Sequence, residues 1–150
     1  SQKIAITNYV VKTAHSLGIP KPKVAIIAAT EQMLPGMQAC VDAAIISKMA
    51  DRAQIAGCFV DGPLALDVAI SQEACAVKKL VSPVAGDADC LVFPNLESAN
   101  VFYKVNTQLC TGSRQAAIVA GAKVPCVLSS RADSIDTKLN SIALAALTAK

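Results

Sequence analysis

The run from Val24 to Ala29, VAIIAA, is uninterrupted apolar sequence bounded by Gly18 and Pro20 before it and by Pro35 and Gly36 after it. It is too short for an average helix. A strand that is apolar on both of its faces must be buried on both, as in a parallel sheet covered by helices. The rest of the chain supports that reading. Aromatic residues make up only 3% of it while hydrophobic residues reach 53%. That exceeds the usual ~45–50% for soluble domains, so the core must be built from Ala, Val, Ile and Leu. At 150 residues the chain suits one domain with a sizeable core.

Helical periodicity flanks the run. Ile6, Val10, Thr13, Ala14 and Leu17 recur at helical spacing, with Gly18 and Pro20 as the stop. Val41, Ala44, Ile45, Lys48 and Met49 mark a second helix. Residues 64–79 read as helical with a break near Ser71, and Asn95 as the N-cap of a helix carrying Ala99, Phe102, Val105 and Leu109 on one face. The tail places Leu139, Ile142, Ala143, Ala146 and Leu147 along one stripe. Further strands are expected at 58–60, 90–93, 116–120 and 125–128, with Asp61-Gly62-Pro63 as a turn after the second. Strands alternating with helices predict an α/β fold: three layers, a mostly parallel sheet and helices on both faces.

Charge and cysteine usage narrow the function classes. The net charge of +3 is scattered, and no nucleic-acid motif accompanies it. No apolar run reaches the ~18–20 residues that span a bilayer. The six cysteines form no C-x-x-C pair and His15 is the only histidine, so no zinc set is expected. Cysteines inside apolar runs read as small buried hydrophobes in a reducing cytoplasm. Dinucleotide, P-loop and nucleophile-elbow patterns are all lacking.

In open α/β sheets ligands bind beyond the carboxyl ends of the strands. The polar segments of interest are therefore Thr30-Glu31-Gln32, Asp61-Gly62-Pro63, Pro94-Asn95, Gly121-Ala122-Lys123 and Ser129-Ser130-Arg131, with a further polar segment, residues 82–89, just before the third strand. The stretch 127–134, VLSSRADS, admits two compatible readings. Asp133 or Ser134 can cap the last helix, with Asp136 in its first turn. Arg131 with the neighbouring hydroxyls can also hold a phosphate.

Four long segments, VDGPLALDVAIS (60–71), SPVAGDADCLVFPNLESANVFYK (82–104), AGAKVPCVLSSRADS (120–134) and KLNSIALAA (138–146), together resemble the C-terminal half of phosphate acetyl/butyryltransferases, with MADRAQIAG (49–57) closer to the butyryl branch. The resemblance implies the reversible reaction of acyl-CoA with phosphate to give acyl phosphate and CoA, in a cytoplasmic homo-oligomer. CoA is then a substrate, no cofactor is held permanently, and neither metal, nucleic acid nor membrane is involved. It implies a fold similar to one lobe of the isocitrate/isopropylmalate dehydrogenases. Residues 1–130 would be the second α/β lobe, and 131–150 a C-terminal helix that packs on a first lobe missing here. Such a partial chain would be inactive alone; a non-catalytic CoA-binding or assembly domain is the alternative. By the same resemblance Ser130 and Arg131 match the family's Ser-Arg pair. The acetyl branch has an aspartate six residues after the Arg, where this chain has Thr137, so Asp136 is the candidate base. Asp61, Gly62, Pro63, Ser82, Gly86, Asp87, Ser129 and Asp133 would bind substrate.

Overall fold

The computed structural model describes residues 2–149. Ser1 and Lys150, the outermost positions of the two expected segments, lie outside the described residues. The chain forms two compact units, one ending at Pro94 and one beginning at Asn95. The residues from 131 onward share a unit with the two strands that precede them.

The first unit contains α1 (Gln2–Ser16), β1 (Lys23–Ile27), α2 (Gln38–Asp51), β2 (Phe59–Leu64), α3 (Leu66–Ile70), α4 (Gln72–Val77) and β3 (Cys90–Val92). Its sheet has the order β2-β1-β3, and both pairings are parallel. The apolar run occupies the centre. Val24 and Ile26 point to one face, where they meet Val11 of α1 and Ala43 and Ile46 of α2. Ala25 and Ile27 point to the other, against Val68 and Ala69 of α3 and Cys75 of α4. The alternation of side chains along a strand therefore builds two cores from one segment. Each such Val or Ile contributes about 1.5–3 kcal/mol through burial. The three layers and the helices on both faces are those expected.

The expected turn at Asp61–Pro63 is instead the interior of β2. While β1 advances two residues from Ala25 to Ile27, β2 advances three, from Asp61 to Leu64. One extra residue inverts which side chains face which layer. Val60 accordingly packs on the α2 side and Leu64 on the α3 side. Pro63 follows a cis Gly62–Pro63 bond. It is tolerated because β2 is an edge strand, where a missing donor breaks no second ladder. Gly62 is required by proximity: a Cβ there would lie 2.7 Å from the Ile26 carbonyl oxygen and 3.1 Å from the Ala43 Cβ. The break at Ser71 also forms, for the Ser71 hydroxyl accepts the Ala74 amide at 3.2 Å and starts α4.

The second unit contains α5 (Leu96–Gln108), β4 (Ile118–Val119), β5 (Cys126–Val127) and α6 (Ile135–Leu147). Asn95 caps α5 as expected, its Oδ1 accepting the Ser98 amide at 2.9 Å. One expectation fails here. β4 and β5 do not extend the parallel sheet; they pair with each other, antiparallel, Ile118 opposite Val127 and Val119 opposite Cys126. The reason is chain length: a parallel connection takes a dozen residues or more, and the segment between these strands is far shorter. Apolar side chains of both helices are also left at the surface. No residue of α5 is buried, and Leu109 beyond it is 76% exposed. In α6 the buried residues are Thr137, Ser141 and Ala145, while Leu139, Ile142, Ala143, Ala146 and Leu147 are exposed. Small side chains at i, i+4 and i+8 let α6 approach the strand region closely. The Ser141 hydroxyl makes the connection, accepting the Ala117 amide at 2.9 Å and donating to the Thr137 carbonyl at 2.6 Å.

Candidate functional site

The residues singled out from the sequence fall into both units. In the second unit they surround one turn. The Asp133 amide donates to the Ser130 carbonyl at 3.1 Å, closing a four-residue turn from Ser130 to Asp133. In return the Ser130 amide donates to Asp133 Oδ2 at 2.7 Å. Arg131 is the second residue of the turn and is exposed, so its guanidinium stands at the tip of a backbone closed on itself from both sides. The Ser130 hydroxyl accepts the Ala132 amide at 3.4 Å. Ser129 precedes the turn, half-buried. The cap of α6 is Ser134, not Asp133: its hydroxyl accepts the Thr137 amide at 3.1 Å.

Asp136 and Thr137 open α6 on different faces, as the ~100° step between adjacent helical residues requires. Thr137 is 8% exposed and bonded to Ser134, while Asp136 is exposed in the first turn. Asp136 thus has room to meet a ligand and sits where the helix dipole favours a carboxylate.

In the first unit, Asp61, Gly62 and Pro63 act in packing. Asp61 Oδ1 accepts its neighbour's amide, that of Gly62, at 2.8 Å and the Ser47 hydroxyl at 3.4 Å. Gly62 and Pro63 are buried. The Ser82 hydroxyl accepts the amides of Val84 and Ala85 at 3.1 and 3.0 Å, which shapes the loop over the α3 face. The Gly86 amide donates to the Val68 carbonyl at 2.7 Å, and a Cβ at Gly86 would meet Gln72 at 3.0 Å. Asp87 forms an ion pair with Lys23, the first residue of β1, at 2.5 Å, and Asp89 accepts the Lys23 amide at 2.8 Å. These contacts set Asp87 at the amino end of the sheet, away from the strand ends where ligands of such sheets bind.

What does lie at the carboxyl ends of β1 and β2 was only partly visible. Glu31 accepts the Ala65 amide at 3.3 Å and the Lys78 ammonium at 3.0 Å, and Lys78 also reaches Asp67 at 3.1 Å. The two carboxylates hold the Lys78 ammonium above its ordinary range, Glu31 first. Glu31 belongs to a segment flagged by position; nothing in the sequence pointed to Lys78. Met33, Leu34, Pro35, Cys40, Val41, Ala44 and Ile45 line an apolar cavity of about 230 Å³ against α2. Among the described residues no group of three or more His, Cys, Asp or Glu could hold a metal ion. His15 is exposed and meets Gly57, its Nε2 3.0 Å from the Gly57 carbonyl oxygen.

Residues 1–146 match the family described as Phosphate acetyl/butaryl transferase. The chain belongs to this family. It is 54% identical over 148 residues to the phosphate butyryltransferase of Clostridium acetobutylicum, covering 99% of this chain and 49% of that protein. It is 47% identical over 148 residues to the phosphate acetyltransferase of Thermotoga maritima, covering 99% of this chain and 50% of that one. Among solved structures, a branched-chain phosphotransacylase from Enterococcus faecalis V583 superposes with a TM-score of 0.86 at 36% identity, covering 97% of this chain and 52% of its own. The chain therefore spans about half the length of the curated relatives it matches. The turn bearing Ser130 and Arg131 lies inside the matched residues. No described helix is long and apolar enough to cross a membrane.

Proposed function

We propose that this chain supplies one lobe of a phosphate acyltransferase that interconverts a short acyl-CoA and phosphate with an acyl phosphate and CoA, with butyryl the leading acyl group. The observation that carries the reading is the closed turn Ser130–Asp133, which presents an exposed Arg131 within a chain of this family. We place Arg131 on the phosphoryl or carbonyl oxygens, where a fixed guanidinium stabilises charge as it develops. Ser130 sits at the thiol end as a hydrogen-bonding group, with Ser129 beside it. A CoA thiol titrates near ~8.5, so its attack on the acyl carbon needs a base. The thiolate then forms the new C–S bond as the C–O bond to phosphate breaks. Asp136 is the carboxylate we assign to the proton. Gly62 and Pro63 are left out of the site because they are buried, and Asp87 because its pairing with Lys23 sets it at the amino end of the sheet.

CoA is a substrate in this scheme, not a resident cofactor. The two-layered core around a parallel sheet supports a likeness to a lobe of the isocitrate/isopropylmalate dehydrogenases. The six cysteines are free thiols, which suits a reducing cytoplasm. The test joins the chain to the remaining half of the Clostridium acetobutylicum relative and follows thiol release from butyryl-CoA in phosphate. Inactivity on every short linear or branched acyl-CoA overturns the proposal. Burial of Thr137, where the resemblance leads one to expect an acidic group, favours a second reading: a domain that binds CoA without turnover. Calorimetry showing CoA binding in a joined protein with no thiol release would establish it.

A further inference from the structure

The turn that carries Arg131 is not held by its own residues alone. Asp133 Oδ2 accepts two donors, the Ser130 amide at 2.7 Å and the Tyr103 hydroxyl at 2.9 Å. Tyr103 belongs to α5, thirty residues earlier. Its ring is half-buried, with the Lys104 ammonium 5.3 Å from the ring centre. Its carbonyl accepts the Thr107 hydroxyl and the Gln115 amide group, both at 3.3 Å, so the backbone beneath the ring is also fixed. Burial, and then the bond to Asp133, push the Tyr103 hydroxyl up, so it remains a donor. A carboxylate accepting from one amide can still swing about its own χ angles; one that also accepts from a hydroxyl on a second helix cannot without losing a charge-assisted bond.

We propose that Tyr103 is a positioning residue: its hydroxyl fixes the Asp133 carboxylate, which closes the Ser130–Asp133 turn and aims Arg131 at a phosphate group. This assigns Asp133 to holding the turn and not to touching substrate. The proposal rests on the reading of Arg131 as the phosphate-facing residue. The interaction joins α5 to the turn within one compact unit, so it acts without any element from elsewhere in the chain.

The experiment uses the 150-residue chain and its Tyr103→Phe variant, which removes the hydroxyl and keeps the ring. Amide exchange is followed by NMR at Ser130 and along α6, and the Arg131 Nε–H signal is titrated with inorganic phosphate. Hydrogen bonds to charged groups are among the stronger ones, so exchange at Ser130 should rise about tenfold. Amides in the middle of α6 should stay within about twofold. Phosphate should shift the Arg131 signal in the parent chain, and about three- to tenfold more phosphate should be needed in Tyr103→Phe. Unchanged Ser130 exchange in Tyr103→Phe overturns the clamp. An Arg131 titration identical in the two chains overturns its positioning role. An Arg131 signal that phosphate does not move in the parent chain overturns the assignment of Arg131 instead. If Tyr103→Phe loses the fold of the second unit, Asp133→Ala, which removes the acceptor shared by both donors, takes its place, and undiminished protection of Ser130 in that variant counts against the proposal.

Discussion

The two units of this chain are stabilised in different ways. Every buried hydrophobic residue described lies before Pro94 except Ala145. The first unit wraps two cores around β1, and its hydrogen bonds mostly shape loops over those cores. In the second, helix α5 has half-buried residues such as Phe102 and Tyr103 but no fully buried one, and α6 buries a threonine, a serine and an alanine. What holds this unit in place is a set of specific polar contacts: Ser141 to Ala117, Asp133 to Ser130, and Tyr103 to Asp133. Apolar burial is nondirectional and tolerates small shifts, whereas a hydrogen bond fixes a particular atom. The residues proposed to meet phosphate therefore sit on the unit ordered by geometry, and the scaffold on the unit ordered by burial.

Substitutions can break that contrast, beginning with the core. Ile46→Ala, at a residue 1% exposed, should destabilise the first unit by about 3 kcal/mol. Ile142→Ala, at a residue 60% exposed, should change the stability of the chain by no more than about 0.5 kcal/mol. Urea unfolding of both variants checks the pair, and equal losses would erase the distinction. Gly62→Ala should cost about 1–3 kcal/mol by forcing the Ile26 backbone and Ala43 apart. Ser141→Ala should cost about 1–2 kcal/mol, because the Ala117 amide is left without its acceptor. Its effect should appear as lost exchange protection at Ala117 while amides of β1 stay protected.

A pH series sharpens the contrast further. Burial is the main cause that raises the Cys90 thiol from the ordinary 9.0 to about 11, followed by the nearby Asp89 charge. Folding therefore favours the protonated thiol. The stability this gives is fully present below about pH 9 and is lost as pH climbs toward about 11. Cys90→Ala should flatten that part of the first unit's stability profile. In timed alkylation at pH 8, Cys110, exposed in the second unit, should react before Cys40 and Cys75, which are buried in the first. The smallest effect concerns association. The outward stripe of Leu139, Ile142 and Leu147 should drive weak self-association, checked by sedimentation across a wide concentration range. Ile142→Lys should weaken it, and a monomer at all concentrations would remove the case for a homo-oligomer.

Much of the first unit was legible because its signals are local. The Val24–Ala29 run gives a central strand, and Ser71 and Asn95 have hydroxyl and amide groups that cap the helices after them. Asp61–Pro63 misled because Gly and Pro mark turns in most settings; here the third residue of a bulge and a close backbone approach require them. β4 and β5 were recognised as extended, but their pairing was not, although the short connection already forbids a parallel crossover. Periodicity located α5 and α6 and could not say what covers their apolar faces. In the site, the Ser130–Arg131 pair was visible as an arginine beside a helix cap. Tyr103 was not, since no local pattern links a helix residue to a turn thirty positions away.

The most direct measurement is the rate of thiol release from butyryl-CoA and phosphate by the chain joined to its complementary half, compared between Arg131→Ala and Arg52→Ala. Both arginines are exposed, one on the polar-clamped unit and one at the end of α2. If Arg131 stabilises developing phosphoryl or carbonyl charge, its removal should slow turnover by about 10²–10³-fold, while Arg52→Ala stays within about twofold. Equal rates for the two variants would contradict the assignment of the reaction to the Ser130–Asp133 turn.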